Sequence, residues 1–167
     1  MRVRTLVVPT LIAVGLALPV RAQQPAAPTA AQPKLYASAA DVAAMIAKAK
    51  AERKPDQANF GQQIVGLPPY SEGLEYRAIV GPAAVHETEA EAFYVIDGGA
   101  TMVTGGKLKD EKRTNPANLS GTGIEGGASR HVAKGDFIIV PENTAHWFSA
   151  IDSGGALVLM TLHLPRH

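Results

Sequence analysis

A chain of 167 residues has room for one domain with a substantial core, not two. Its 46% hydrophobic and 19% charged residues describe a globular chain, and the lack of cysteine excludes disulfide frameworks, thiolate metal sites and cysteine nucleophiles. A formal charge of +1 offers no electrostatic footprint for nucleic acid.

The chain opens as an export signal. Arg2 and Arg4 supply a positive start, Leu6 to Leu18 is an apolar run, and Val20-Arg21-Ala22 is a small-x-small cleavage site before Gln23. The run falls short of the roughly 20 apolar residues that span a bilayer. Residues 1–22 are therefore expected to be removed, and the mature protein to be periplasmic or secreted, with no membrane attachment. Cleavage takes away three arginines and leaves 13 basic against 15 acidic groups, a charge of −2. Residues 23–36, dominated by Pro, Ala and Gln, bury nothing and are expected to form a disordered linker.

A helix is predicted over 37–55. Ser38 and Asp41 have capping-box spacing, and Val42, Met45, Ile46 and Ala49 recur on one face. Lys48, Lys50, Arg53 and Lys54 suit a helix C-terminus, and Pro55 forbids continuation.

From residue 56 to 167 the texture is that of short strands split by Gly and Pro. Strands are predicted at Gln62–Leu67, Leu74–Val80, Ala83–Thr88, Ala92–Ile96 and Thr101–Thr104, then at Thr122–Glu125, Arg130–Ala133, Phe137–Val140, Trp147–Ile151 and Ala156–Leu164. This spacing points to an all-β sandwich or barrel. The charged stretch Lys107–Asn118 is expected to be a solvated loop. Gln62–Leu67 and Leu157–Leu164 are long apolar strands that would be hazardous as free edges, so a homodimer is expected.

His86, Glu91 and His146 carry the chemistry. The stretch from Ala84 to Gly98 resembles the first cupin motif: His86 matches its second histidine, four residues precede Glu91, and six more precede Gly98. Gly135 to His146 (GDFIIVPENTAH) resembles the second motif in Gly135, Pro141 and His146. Asn143 stands in for an internal glycine, since Asn also tolerates positive φ. Ala84 occupies the place of the first motif histidine, and Ala150 replaces an asparagine some members carry. The resemblance implies an all-β fold, the cupin double-stranded β-helix (jelly-roll barrel), here with one N-terminal helix. It also implies one divalent metal ion held by His86, Glu91 and His146, with one family ligand missing.

Strand geometry agrees with that set. Residues 84, 86 and 88 share a face, as do 91, 93 and 95, and strands about 4.8 Å apart let inward side chains converge. Two imidazoles and a carboxylate leave positions open for water, oxygen or substrate. Iron is the first expectation, with manganese, zinc or nickel as alternatives. The implied activities are those of a metal-dependent enzyme on a small organic molecule: oxygenase (a non-haem dioxygenase above all), isomerase or lyase. A non-catalytic ligand-binding or sensing cupin is the alternative, favoured by Ala84, and a structural cupin a third reading. Tyr76, Arg77, Tyr94 and Arg130 are polar tips on predicted strands that can contact a substrate, although core packing or cross-strand ion pairing explains such residues as well. Glu87 and Glu89 are read as solvated, His131 as exposed, and His163 and His167 as lying outside any motif.

Overall fold

A computed structural model describes residues 33–166. The predicted signal, most of the predicted linker and His167 lie outside these residues. The described end of the linker is tied down, because Gly66 N–H donates to the Lys34 carbonyl at 2.8 Å.

The helix α1 spans Ala39–Glu52. Ser38 caps it: its Oγ accepts from Asp41 N–H at 3.1 Å while the Asp41 carboxylate accepts from Ser38 N–H at 2.8 Å. Extended backbone at Arg53 ends it, ahead of Pro55. Its apolar face, Val42, Met45 and Ile46, packs on Ile64, Leu74 and Val158. Among the described residues, no helix is long and apolar enough to cross a membrane.

The strands follow as β1 (Asn59–Leu67), β2 (Tyr70–Arg77), β3 (Ala83–His86), β4 (Glu89–Asp97) and β5 (Gly99–Thr104). Then come β6 (Lys107–Lys109), β7 (Lys112–Asn115), β8 (Asn118–Gly121) and β9 (Gly123–Glu125). The chain closes with β10 (Ala128–Ala133), β11 (Phe137–Val140), β12 (His146–Ile151) and β13 (Leu157–Pro165). They form sheets ordered β1-β2-β13-β4-β11 and β10-β5-β12-β3-β8-β7, with β6 and β9 as a separate ribbon. The pairing is nested: β2 with β13, β3 with β12, β4 with β11 and β5 with β10, all antiparallel. A long ribbon wound in this way gives the jelly-roll barrel.

The sheets face each other across one core. Phe93, Val95, Leu157 and Leu159 from the first meet Ala100, Met102, Val132 and Phe148 from the second. At Gly98 (φ 78°) the chain turns from β4 into β5, and a Cβ there would run into the Ala156 carbonyl oxygen.

Three expectations need correction. Lys107–Asn118 is not a loop: it folds into β6, β7 and the start of β8, an exposed excursion at the apex of the wound ribbon. Its charges are compatible with strands because Lys107 and Lys109 of β6 are exposed and β7 is exposed on both faces. Leu157–Leu164 is not an edge; β13 lies between β2 and β4, which explains its apolar run, while the edges of that sheet are β1 and β11. The second predicted strand begins at Tyr70 instead of Leu74, the polar Ser71-Glu72-Gly73 having concealed its first half.

Candidate metal centre

Glu91 enters near the start of β4, His86 at the end of β3 and His146 at the start of β12. Register fixes their direction. Glu91 is opposite Val140 and His163, and His146 is opposite Ala84 and Thr104, so these side chains share the concave face. The turn before His146 is braced by Asn143 N–H donating to the His86 carbonyl at 2.7 Å. Asn143 has φ 55° and Gly135 φ 95°, the conformations that their motif positions require.

The three side chains converge at one mouth of the barrel. Each offers a ligand atom within 4.8 Å of the others. His86 Nε2 lies 3.3 Å and His146 Nε2 3.1 Å from Glu91 Oε2. Glu91 is 4% and His146 6% exposed. Phe93 supplies the apolar wall, its ring centroid 6.0 Å from that of His146.

The other ring nitrogens are anchored. His146 Nδ1–H donates to the Thr144 carbonyl at 3.2 Å, and His86 Nδ1 meets Asn118 Oδ1 at 3.0 Å. With Nδ1 protonated, a neutral imidazole carries a lone pair on Nε2. Two lone pairs aimed at a buried carboxylate repel it unless protons or a cation lie between them. In the metal-free protein, hydrogen bonds from the two imidazoles to Glu91 serve. Burial alone would raise the Glu91 carboxyl, but hydrogen bonds from His146 and His86 and the charges of His146 and His163 outweigh it, holding Glu91 well below the usual carboxylate range. The hydrogen bond to Glu91 chiefly raises His86, against burial and with help from Asn118. Two oriented imidazoles and a carboxylate in a largely dry pocket also fit a divalent cation that replaces those protons.

The remaining candidates divide. Arg77 faces the interior, bonded to Glu75 at 2.7 Å and lying 5.3 Å over the Phe148 ring, while Asn59 Nδ2 donates to the same Glu75 at 2.7 Å. Tyr76 and Tyr94 point the other way. Tyr76 packs in the helix-covered cluster, and Tyr94 stacks on Phe137 at 4.6 Å on the convex face. They do not join the centre, because alternation that turns Glu91, Phe93 and Val95 inward turns Tyr94 outward. Arg130 shares a face with Met102 by register but sits exposed on the edge strand β10.

Residues set aside from the sequence reach the site. Glu89 opens β4 and its Oε1 lies 2.8 Å from His163 Nδ1; His163 Nε2 lies 3.6 Å from Glu91 Oε1. Asn118, at the end of the supposed loop, anchors His86. The signal for His163 is alternation along β13, which turns Leu157, Leu159, Thr161 and His163 to one face. By contrast, Glu87 pairs outward with Arg113 at 2.6 Å and the exposed His131 with Asp152 at 3.0 Å. A cavity of about 240 Å³ adjoins His163, lined also by Gly61, Gln63, Gly73, Glu75 and Thr161.

No protein-family model and no curated protein matches the chain. Among solved structures, KdgF from Halomonas sp. is similar at 16% identity over 69% of this chain and 87% of its own, with a TM-score of 0.48. The Cnp3 cupin domain of Schizosaccharomyces pombe is similar at 12% over 70% and 71%, with a TM-score of 0.48. The iron(II) form of HppE is similar at 14% over 65% and 52%, with a TM-score of 0.49. Such low identities concern the fold alone and say nothing about activity. The nested strand pairing and the packing of the two sheets make residues 59–165 a barrel of the cupin fold.

Proposed function

We propose that this barrel holds one divalent cation through His86, Glu91 and His146 and acts with it on a small organic molecule. The observation that carries the reading is the approach of two anchored imidazoles, by their Nε2 atoms, to one oxygen of a buried carboxylate. When bound, the cation would act as a Lewis acid or, if it is iron, as a redox centre for oxygenase chemistry. The chain's own residues do the rest. Thr144 and Asn118 fix the imidazole rings, and Phe93 excludes water. The cavity beside His163 offers Gln63, Glu75 and Thr161 as polar contacts for a compact substrate. Oxygenase, isomerase and lyase chemistry are all compatible with this arrangement.

Metal analysis of the mature protein tests the reading. One equivalent of metal, lost in both His86→Ala and His146→Ala, is the expected result; protein free of metal after reconstitution with Fe²⁺, Mn²⁺, Zn²⁺ and Ni²⁺ would overturn it. Oxygen uptake and product formation across a metabolite panel test catalysis. The methyl group of Ala84, opposite His146 in register, favours the second reading, a non-catalytic ligand-binding or sensing barrel. A metal-loaded protein that binds a metabolite but turns none over would establish it.

Residues 1–22 support export to the periplasm or medium, which N-terminal sequencing of the natural product checks. The edge strand β11, with Phe137 79% and Ile139 64% exposed, supports a homodimer.

A further inference from the structure

The geometry points to His163 as a fourth ligand of the same cation, with Glu89 as the group that orients it. This rests on the metal reading of His86, Glu91 and His146 and extends their donor set.

The three imidazoles share one construction. His146 gives Nδ1 to the Thr144 carbonyl and turns Nε2 to Glu91; His86 gives Nδ1 to Asn118 and does the same. His163 follows the same plan. Its Nδ1 is 2.8 Å from Glu89 Oε1, and its Nε2 faces Glu91 at 3.6 Å. An imidazole anchored through one nitrogen by a carboxylate, with the other turned to a shared centre, is how proteins orient metal-bound histidines. The two nearer histidines approach Glu91 Oε2, whereas His163 approaches Oε1, so a cation held by both carboxylate oxygens would meet all three rings.

The backbone holds His163 there. β13 lies between β2 and β4, and His163 is opposite Glu91 on one neighbour and Ser71 on the other. Its ring meets that of His86 edge-on, with centroids 5.3 Å apart. A histidine placed merely to pack would not need both nitrogens directed at carboxylates. With His163 the set becomes three imidazoles and one carboxylate, which favours a transition metal over Mg²⁺ or Ca²⁺.

The test uses the mature protein and Co²⁺. Wild type is expected to bind one Co²⁺, with His163→Ala and His163→Gln weakening it by about 10- to 100-fold in chelator competition, on the scale of lost coordination-sphere support. Both variants should also shift the visible Co²⁺ bands while keeping the far-ultraviolet circular dichroism of the fold. Pulsed EPR of the Cu²⁺-loaded wild type, which needs no variant, should count three coordinated imidazoles. Unchanged affinity and bands in the variants, or two imidazoles in the wild type, would overturn the assignment and leave the three-residue site standing. A wild type that binds neither ion would instead remove the metal reading itself.

Discussion

At the scale of single residues, the pairing of His86 with Glu91 fixes how the site responds to pH. The His86 pKa is raised, so its contribution to stability is complete below the unfolded value of about 6.5 and is lost as pH rises through the folded value. The Glu91 pKa is depressed, so its contribution is complete above about 4.3 and is lost as pH falls through its folded value. Chelator-treated protein should therefore resist urea best between about pH 5 and 6.5 and weaken towards pH 8.5. Cation affinity at the proposed centre should run the other way, rising over that range as His86 gives up its proton, with proton release visible in weakly buffered titrations. A metal-free protein whose stability climbs from pH 6.5 to 8.5 would contradict the pairing described. Much of this was legible in advance. The spacing of His86, Glu91 and His146 and the positive φ of Asn143 follow from the two motif stretches. His163, Glu89 and Asn118 were not, because their places depend on how distant strands register against β3 and β4.

At the scale of elements, the cap and the edges can be probed separately. Ser38→Ala removes the hydroxyl that accepts from Asp41 N–H and should cost about 1 kcal/mol, measured by urea denaturation. The proposed metal site should be unaffected, since α1 packs on the opposite side of the sheet from Glu91. On β11, Phe137→Lys with Ile139→Lys places two charges on an exposed apolar edge. Light scattering should show the proposed dimer give way to a monomer without loss of thermal stability; an unchanged molecular mass would place the interface elsewhere or nowhere. The helix could be read closely because its cap, periodicity and Pro55 are local signals. Strand edges could not, because a run such as Leu157–Leu164 looks the same whether it is buried between two strands or left open. The charged segment from Lys107 misled for a related reason: exposed strands can be as polar as loops.

At the scale of the whole molecule, the core and the site are one structure. Phe93 packs edge-on against Phe148 at 5.6 Å and also walls His146. Phe93→Ala should cost about 3–5 kcal/mol in urea denaturation. It should also weaken Co²⁺ binding by admitting water beside His146, whereas Leu74→Ala, in the helix-covered cluster, should destabilise without that loss. Equal effects on metal affinity from both would show that the wall has no specific part. The nested strand order carries a consequence for biogenesis. The ribbon closes only when β13 slides between β2, made early, and β4, so a growing polypeptide has no finished pocket until β13 has been made and is free to fold. A cation bound at the proposed centre would therefore report that β13 has reached its place between β2 and β4.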